Sequence, residues 1–277
     1  MLSGFTQEQK PNFIKWIDFN VSHAALDHAF KSDPTRVPEL LAYAALKNGN
    51  KFNSSSRDIK NINAAIKDPT ILDKHHEDKY FNYYLNSYRA ILNGIINPES
   101  GALTGFHPVA KGFWFSCFDD FGNSRGYGYK RRHLGHDMFG STGAPIIAVE
   151  GGTITELGWN QYGGWRVGIR SDDTLRYYYY AHLRKDRPFA TDLKKGDRVT
   201  AGQVIGYLGN TGYSRKENVN MKSNKPHLHF GIQIIFDPSQ EDGNGEIWID
   251  CHTLCRFLSR NRAKVEKCTE TGEWKSV

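Results

Sequence analysis

Two histidines stand two positions apart in KPHLHFGIQ, residues 225–233. Side chains alternate along a strand, so His227 and His229 share one face, about 6.6–6.8 Å apart at the backbone. That distance suits two roles around one centre: one imidazole binding a metal, the other reaching a water or substrate atom beside it. A second cluster lies in RRHLGHDMFG, residues 131–140. Zinc ligands sit about 2.0–2.3 Å from the ion, so two donor atoms must come within about 4 Å of each other. A regular strand would hold His133 and Asp137 about 13 Å apart, and Gly135 and Gly140 oppose a helix. The chain is therefore expected to turn at Gly135 and fold His133 and Asp137 onto one centre. His136 would then point elsewhere, as a lesser candidate ligand. A fifth residue, His182, ends the aromatic run YYYYAHLR.

Two histidines and one aspartate complete a set of three protein ligands and leave one position open, the arrangement of a catalytic rather than a structural zinc. The open position takes water, lowers its pKa and polarises a carbonyl oxygen. Two histidines remain over, and amide hydrolysis needs two such groups, a general base and a donor to the developing oxyanion or leaving group.

The elements that must position these residues fall into two textures. Residues 1–100 read as helical. Ser22 is placed to cap NVSHAALDHAFKSD, RVPELLAYAALKNGN opens near a proline and closes on Asn48-Gly49, SSSRDIKNINAAIKD repeats the start signal, and Tyr80, Tyr84, Leu85, Tyr88 and Ile91 recur at helical spacing. Adjacent helical residues diverge, so the His75-His76 pair reads as solvated surface. From about residue 107, glycine-punctuated β-branched and aromatic runs take over, the mark of antiparallel strands. EIWIDCHTLCRFLSRNR begins as a strand and ends as a helix, and the last ten or so residues read as a polar, frayed tail.

Composition bounds the function. The chain has 277 residues, 39% of them apolar and 24% charged, which accommodates one large domain or two smaller ones. No stretch approaches the roughly 18–20 apolar residues of a membrane helix. MLSGFTQEQKPNFIKW lacks the apolar core of a secretory signal, so either the protein is cytosolic or a leader lies outside this sequence. With 36 basic and 30 acidic residues the formal charge is +6, and YKRRH, AHLRKDR and SRKENVNMKSNK concentrate it beside the histidines. A basic surface favours anionic partners. Aromatic and basic residues interleave in LRYYYYAHLRKDR, but strand aromatics are ordinarily core or groove lining, so no nucleic acid is expected. Cys117, Cys251, Cys255 and Cys268 form no CxxC pair. Cys251, Cys255, His252 and Cys268 fit no common zinc module, and a partly buried apolar Cys251–Cys255 pair is the expectation.

HLGHD (133–137), YYAHL (179–183), KKGDRVTAGQVIGYLGNTGYS (194–214) and PHLHFGI (226–232) together resemble the lysostaphin/LytM-type zinc endopeptidases of bacterial cell walls. The resemblance covers roughly residues 107–237. It implies a β-rich antiparallel catalytic domain of lysostaphin/LytM type, taken over 106–265; with the helical reading of residues 1–105 and the polar tail over 266–277, the expected fold class is α+β. It implies one catalytic Zn2+ held by His133, Asp137 and His229, with His227 as general base and His182 as its partner in stabilising the tetrahedral intermediate. The implied activity is hydrolysis of peptide bonds in peptidoglycan stems or cross-bridges by metal-activated water attack. Peptidoglycan is the implied partner, with anionic wall polymers beside it, and the implied site of action is extracytoplasmic: envelope, periplasm or secreted. A monomer is expected, with any leader or anchor outside this sequence. The long RKENVNMKSNK loop is expected to wall one side of the groove. The helical region is expected to pack as a permanent subdomain beside the groove rather than a removable cap. The alternative is a catalytically silent LytM-like cell-wall scaffold or activator, but silent relatives lose ligands and all five positions here are filled.

Overall fold

The structure is a computed structural model that describes residues 21–49, 55–126, 130–222, 224–236, 238–240 and 246–277. The N-terminal stretch read for a signal lies outside the described residues. The chain divides into two compact units, 1–104 and 105–277.

The described part of the first unit is helical. Helix α1 (His23–Ser32) is capped by Ser22, whose Oγ accepts from the Ala25 N–H at 3.1 Å. Helix α2 (Val37–Lys47) carries Pro38 in its first turn, where the missing N–H costs no helical bond. Helices α3 (Ser55–Lys67), α4 (Thr70–Asp73) and α5 (Lys79–Leu92) follow. Their core is Leu26, Leu40, Leu41, Ile62, Phe81 and Leu92, all essentially inaccessible. Buried Asp58 is satisfied by Ser22 Oγ and Asn48 Nδ2 at 3.3 and 2.7 Å. His75 and His76 fall in the turn before α5 rather than on a helix; the His75 ring packs against Tyr43 and Phe81.

The second unit is built on an antiparallel sheet. Its strands are β1 (Phe115–Cys117), β4 (His136–Gly140), β6 (Gly152–Asn160), β7 (Gly164–Ser171), β8 (Arg176–Ala181), β9 (Arg198–Val199) and β11 (His227–Ile234), in the order β1-β4-β11-β8-β7-β6-β9. Strand β12 (Ile247–Ile249) also pairs with β11. Smaller pairs are β2 (Ser124–Gly126) with β3 (Lys130–Arg132), and β5 (Pro145–Ile147) with β10 (Val204–Tyr207). The strand period sorts the aromatic run of β8. Tyr178 and Tyr180 are fully buried against Phe230, while Tyr177 and Tyr179 face the opposite side and pack on Trp248. Helix α6 (His252–Leu258) follows β12 directly, as the strand-then-helix reading expected.

The C-terminal segment departs from the frayed tail expected over 266–277. It forms a hairpin of β13 (Val265–Lys267) and β14 (Trp274–Ser276). The Trp274 ring meets Phe113 edge-on at 5.1 Å, and the Ser276 hydroxyl accepts from the Val204 N–H. Glu273 is buried and ion-paired with Arg184. One anchoring aromatic and one paired acid hold a segment whose composition is otherwise polar. Cys251, the N-cap residue of α6, and Cys255, within it, are fully rather than partly buried, and all four cysteines are free.

Candidate metal centre

Strand pairing assembles the site. Asp137 on β4 lies directly opposite His229 on β11, and His229 in turn lies opposite Ala181, the last residue of β8. His182 therefore follows the sheet's edge into the same place. It adopts a left-handed backbone, φ 60°, that ends the strand and turns its N–H onto Gly163 O. His133 arrives from outside the sheet. The chain bends at Gly135, as the glycine predicted, and returns into β4 at His136. Gly135 is required for a steric reason. A Cβ there would stand 2.6 Å from His229 Nε2 and 2.7 Å from Phe230 O, inside any real contact distance.

Three donor atoms converge. His133 Nε2 lies 3.1 Å from Asp137 Oδ1 and 2.8 Å from His229 Nδ1, and His229 Nδ1 lies 3.1 Å from Asp137 Oδ1. Ligand atoms around a tetrahedral zinc stand about 3.3 Å apart, so the spacing fits one ion. The charges fit as well. His133 Nδ1 has two acceptors at 3.1 Å, Asp120 O and Asp120 Oδ2, and the Arg125 Nη2 donor at 3.2 Å; the two acceptors favour a proton there. A neutral ring then presents its lone pair at Nε2, towards the centre. Burial alone would lower the His133 pKa, but Asp120 and Asp137 outweigh it and raise it to about 9. Burial pushes the Asp137 carboxyl up, yet hydrogen bonds from His133 and His229 hold it well below the usual carboxylate range. The cluster thus demands cationic charge, which protons or a metal ion can supply.

The other two histidines flank this centre. His227 shares the β11 face with His229, but its Nε2 stands 4.0 Å from Asp137 Oδ1, outside the donor triangle. Its Nδ1 donates to Lys225 O at 2.7 Å, which leaves Nε2 bare towards the groove. The His182 ring lies 4.7 Å from that of His227, and its Nδ1 donates to Thr211 O at 2.7 Å. Burial, then the neighbouring His227 and His229 rings, hold the His182 pKa well below 6.5, so this ring is neutral at rest.

Two residues that the sequence reading missed support the centre. Asp120 backs His133, and Arg125 Nη2 bridges Asp120 Oδ2 at 2.7 Å and Asp137 Oδ2 at 3.2 Å. The only hint in sequence was the acid pair Asp119-Asp120 upstream of His133. His136 points away from the triangle, its Nδ1 3.4 Å from Asp120 Oδ1.

All five histidine and aspartate positions line a groove of about 1320 Å³. Tyr179 and Trp248 form part of its lining. Asn220, Met221, Lys222, Asn224 and Lys225 form a wall, where the long loop before β11 was expected. Arg125, Arg132, Arg166, Arg170, Lys222 and Lys225 outnumber Asp137, Glu156 and Glu246 around it.

Residues 131–242 match the profile described as Peptidase family M23, a span that contains all five of these residues. The chain carries a Peptidase M23 domain. The chain is 40% identical over 118 residues to the L-Ala--D-Glu endopeptidase of Bacillus subtilis, covering 43% of this chain and 34% of that protein. It is 39% identical over 115 residues to the glycyl-glycine endopeptidase ALE-1 of Staphylococcus capitis, covering 38% of this chain and 28% of that protein. The chain thus spans about a third or less of the length of these curated relatives. Its structure is similar to the crystal structure of a lytM from Ruminococcus gnavus, with TM-score 0.64, 26% identity, and coverage of 90% of this chain and 92% of that one. The match to this family falls within the antiparallel sheet unit, and the helices lie N-terminal to it in sequence. No helix among the described residues is long and apolar enough to cross a membrane.

Proposed function

We propose that this chain is a zinc endopeptidase that hydrolyses peptide bonds of bacterial peptidoglycan, acting outside the cytoplasmic membrane. One observation carries the reading: the three mutually contacting donor atoms of His133, Asp137 and His229, flanked in one groove by the rings of His227 and His182. His133, Asp137 and His229 would hold the ion. When bound, zinc supplies Lewis-acid polarisation of the scissile carbonyl and lowers the pKa of water.

The chain's own side chains do the rest. His227, anchored through Nδ1 to Lys225 O, offers a bare Nε2 that accepts the proton of the attacking water and returns it to the leaving amine. His182 is neutral at rest and keeps its Nδ1 proton on Thr211 O. As negative charge develops beside it, its Nε2 would take a proton from solvent water and hold that N–H towards the oxyanion as a hydrogen-bond donor. The groove's excess of Arg and Lys favours the carboxylates of wall peptides and anionic wall polymers.

The two curated relatives are named for different bonds, L-Ala–D-Glu and glycyl-glycine. The proposal is therefore one peptide bond of peptidoglycan, to be identified by its fragments. Purified sacculi digested with the zinc-loaded chain should release fragments whose masses define a single cleaved bond, and a chelator should abolish release. A zinc-loaded chain that binds sacculi and releases nothing would overturn the enzymatic reading in favour of a scaffold.

A further inference from the structure

We propose that Cys117, His136 and His252 form a second metal site, separate from the His133–Asp137–His229 centre, that takes a divalent ion of the zinc class. Three elements bring these residues together. Cys117 ends β1, which pairs with β4; His136 opens β4; His252 opens α6 immediately after β12, itself paired with β11. One ligand atom from each lies within 4.8 Å of the other two. The rings of His136 and His252 are 4.9 Å apart at an interplanar angle of 63°.

His136 supplies the independent sign of a ligand. It is 1% exposed, and neither ring nitrogen makes a hydrogen bond among the described residues. Nδ1 has only an ion-pair contact and Nε2 has no hydrogen-bond partner, and a buried polar atom in that state calls for an explanation. Asp120 Oδ1, at 3.4 Å, faces Nδ1. That leaves Nε2 as the ligand atom, with a carboxylate behind the ring in the arrangement common to metal-bound histidines. Cys117 and His252 are only half-buried, which gives an ion a route in and a place for a fourth ligand. A thiolate with two imidazoles suits zinc, cobalt or copper, whereas magnesium and calcium take oxygen ligands. Asp120 then serves two centres, Oδ1 towards His136 and Oδ2 towards His133.

Cobalt(II) distinguishes the two sites, because only this one contains sulfur. The metal-stripped full chain, titrated with cobalt, should bind two equivalents and develop a near-ultraviolet thiolate-to-cobalt charge-transfer band. Cys117→Ser should bind one equivalent and lose the band; His229→Ala should bind one equivalent and keep it. Should Cys117→Ser fail to fold, as judged by circular dichroism, His252→Ala provides the same loss of one equivalent. Binding of a single equivalent without a band in the wild type, or a band that persists in Cys117→Ser, would overturn the site.

Discussion

Asp120 Oδ2 stands 3.1 Å from His133 Nδ1, on the opposite side of the ring from the Nε2 that meets Asp137 and His229. A carboxylate in that place fixes the tautomer and raises the basicity of the facing nitrogen. Asp120→Asn keeps the shape and removes the charge. Metal affinity at the His133–Asp137–His229 centre should fall by about 10–100-fold, the usual effect of removing such a partner. Competition against a chelator of known affinity measures it, and an unchanged affinity would remove Asp120 from the account.

Gly135 carries a steric prediction. A methyl group there collides with the His229 ring and with the backbone carbonyl of Phe230, which cannot swing away as a flexible side chain would. Gly135→Ala should lower stability by roughly 1–3 kcal/mol, as overpacking does, and should weaken metal binding at the same time. Thermal unfolding with metal analysis checks both, and a variant matching wild type in each would contradict the geometry.

His107 gives a pH dependence remote from the centre. It is fully buried; burial first, then nearby Arg262 and His136, outweigh the Val109 backbone contact and lower its pKa to about 3. In the unfolded chain a histidine titrates near 6.5. The unfolded state therefore binds a proton between these values that the folded state refuses. This group's contribution to stability is fully present above about pH 6.5 and is lost progressively as pH falls towards 3, by about 1.4 kcal/mol per pH unit. His107→Asn, which keeps an acceptor for the Val109 N–H, should flatten the acid side of the stability curve by that slope. Denaturant unfolding at a series of pH values tests this, and parallel curves for variant and wild type would refute it.

The basic groove predicts a salt effect on cleavage. Between about 0.1 M and 1 M salt the screening length falls from about 10 to 3 Å, so kcat/KM on sacculi should drop several-fold with little change in kcat. A flat profile would mean that the Arg and Lys residues around the groove do not recruit substrate.

Much of the site was legible because strand and turn geometry are local. The period of two put His227 and His229 on one face, and Gly135 announced the bend that joins His133 to Asp137. The alternation that sends Tyr178 and Tyr180 into the core and Tyr177 and Tyr179 to the other face was available from the same rule. Asp120 was not legible. An acid 13 residues before its histidine, one of an adjacent pair, has no spacing signature, and its role exists only once the loop packs behind the ring. The Cys117–His136–His252 cluster was hidden for a similar reason, since it depends on β1 and α6 meeting at one end of β4. The C-terminal hairpin escaped because a single aromatic, Trp274, anchors an otherwise polar segment.

The central claim is the division of work between two histidines on one strand, and metal content measured beside turnover in two variants tests it directly. His229→Ala should lose one equivalent of zinc relative to wild type, together with cleavage of sacculi. His227→Ala should lose no zinc, while turnover falls by about 10²–10⁴-fold, the range of a general base. Equal zinc loss in the two variants, or His227→Ala retaining full turnover, would contradict the assignment.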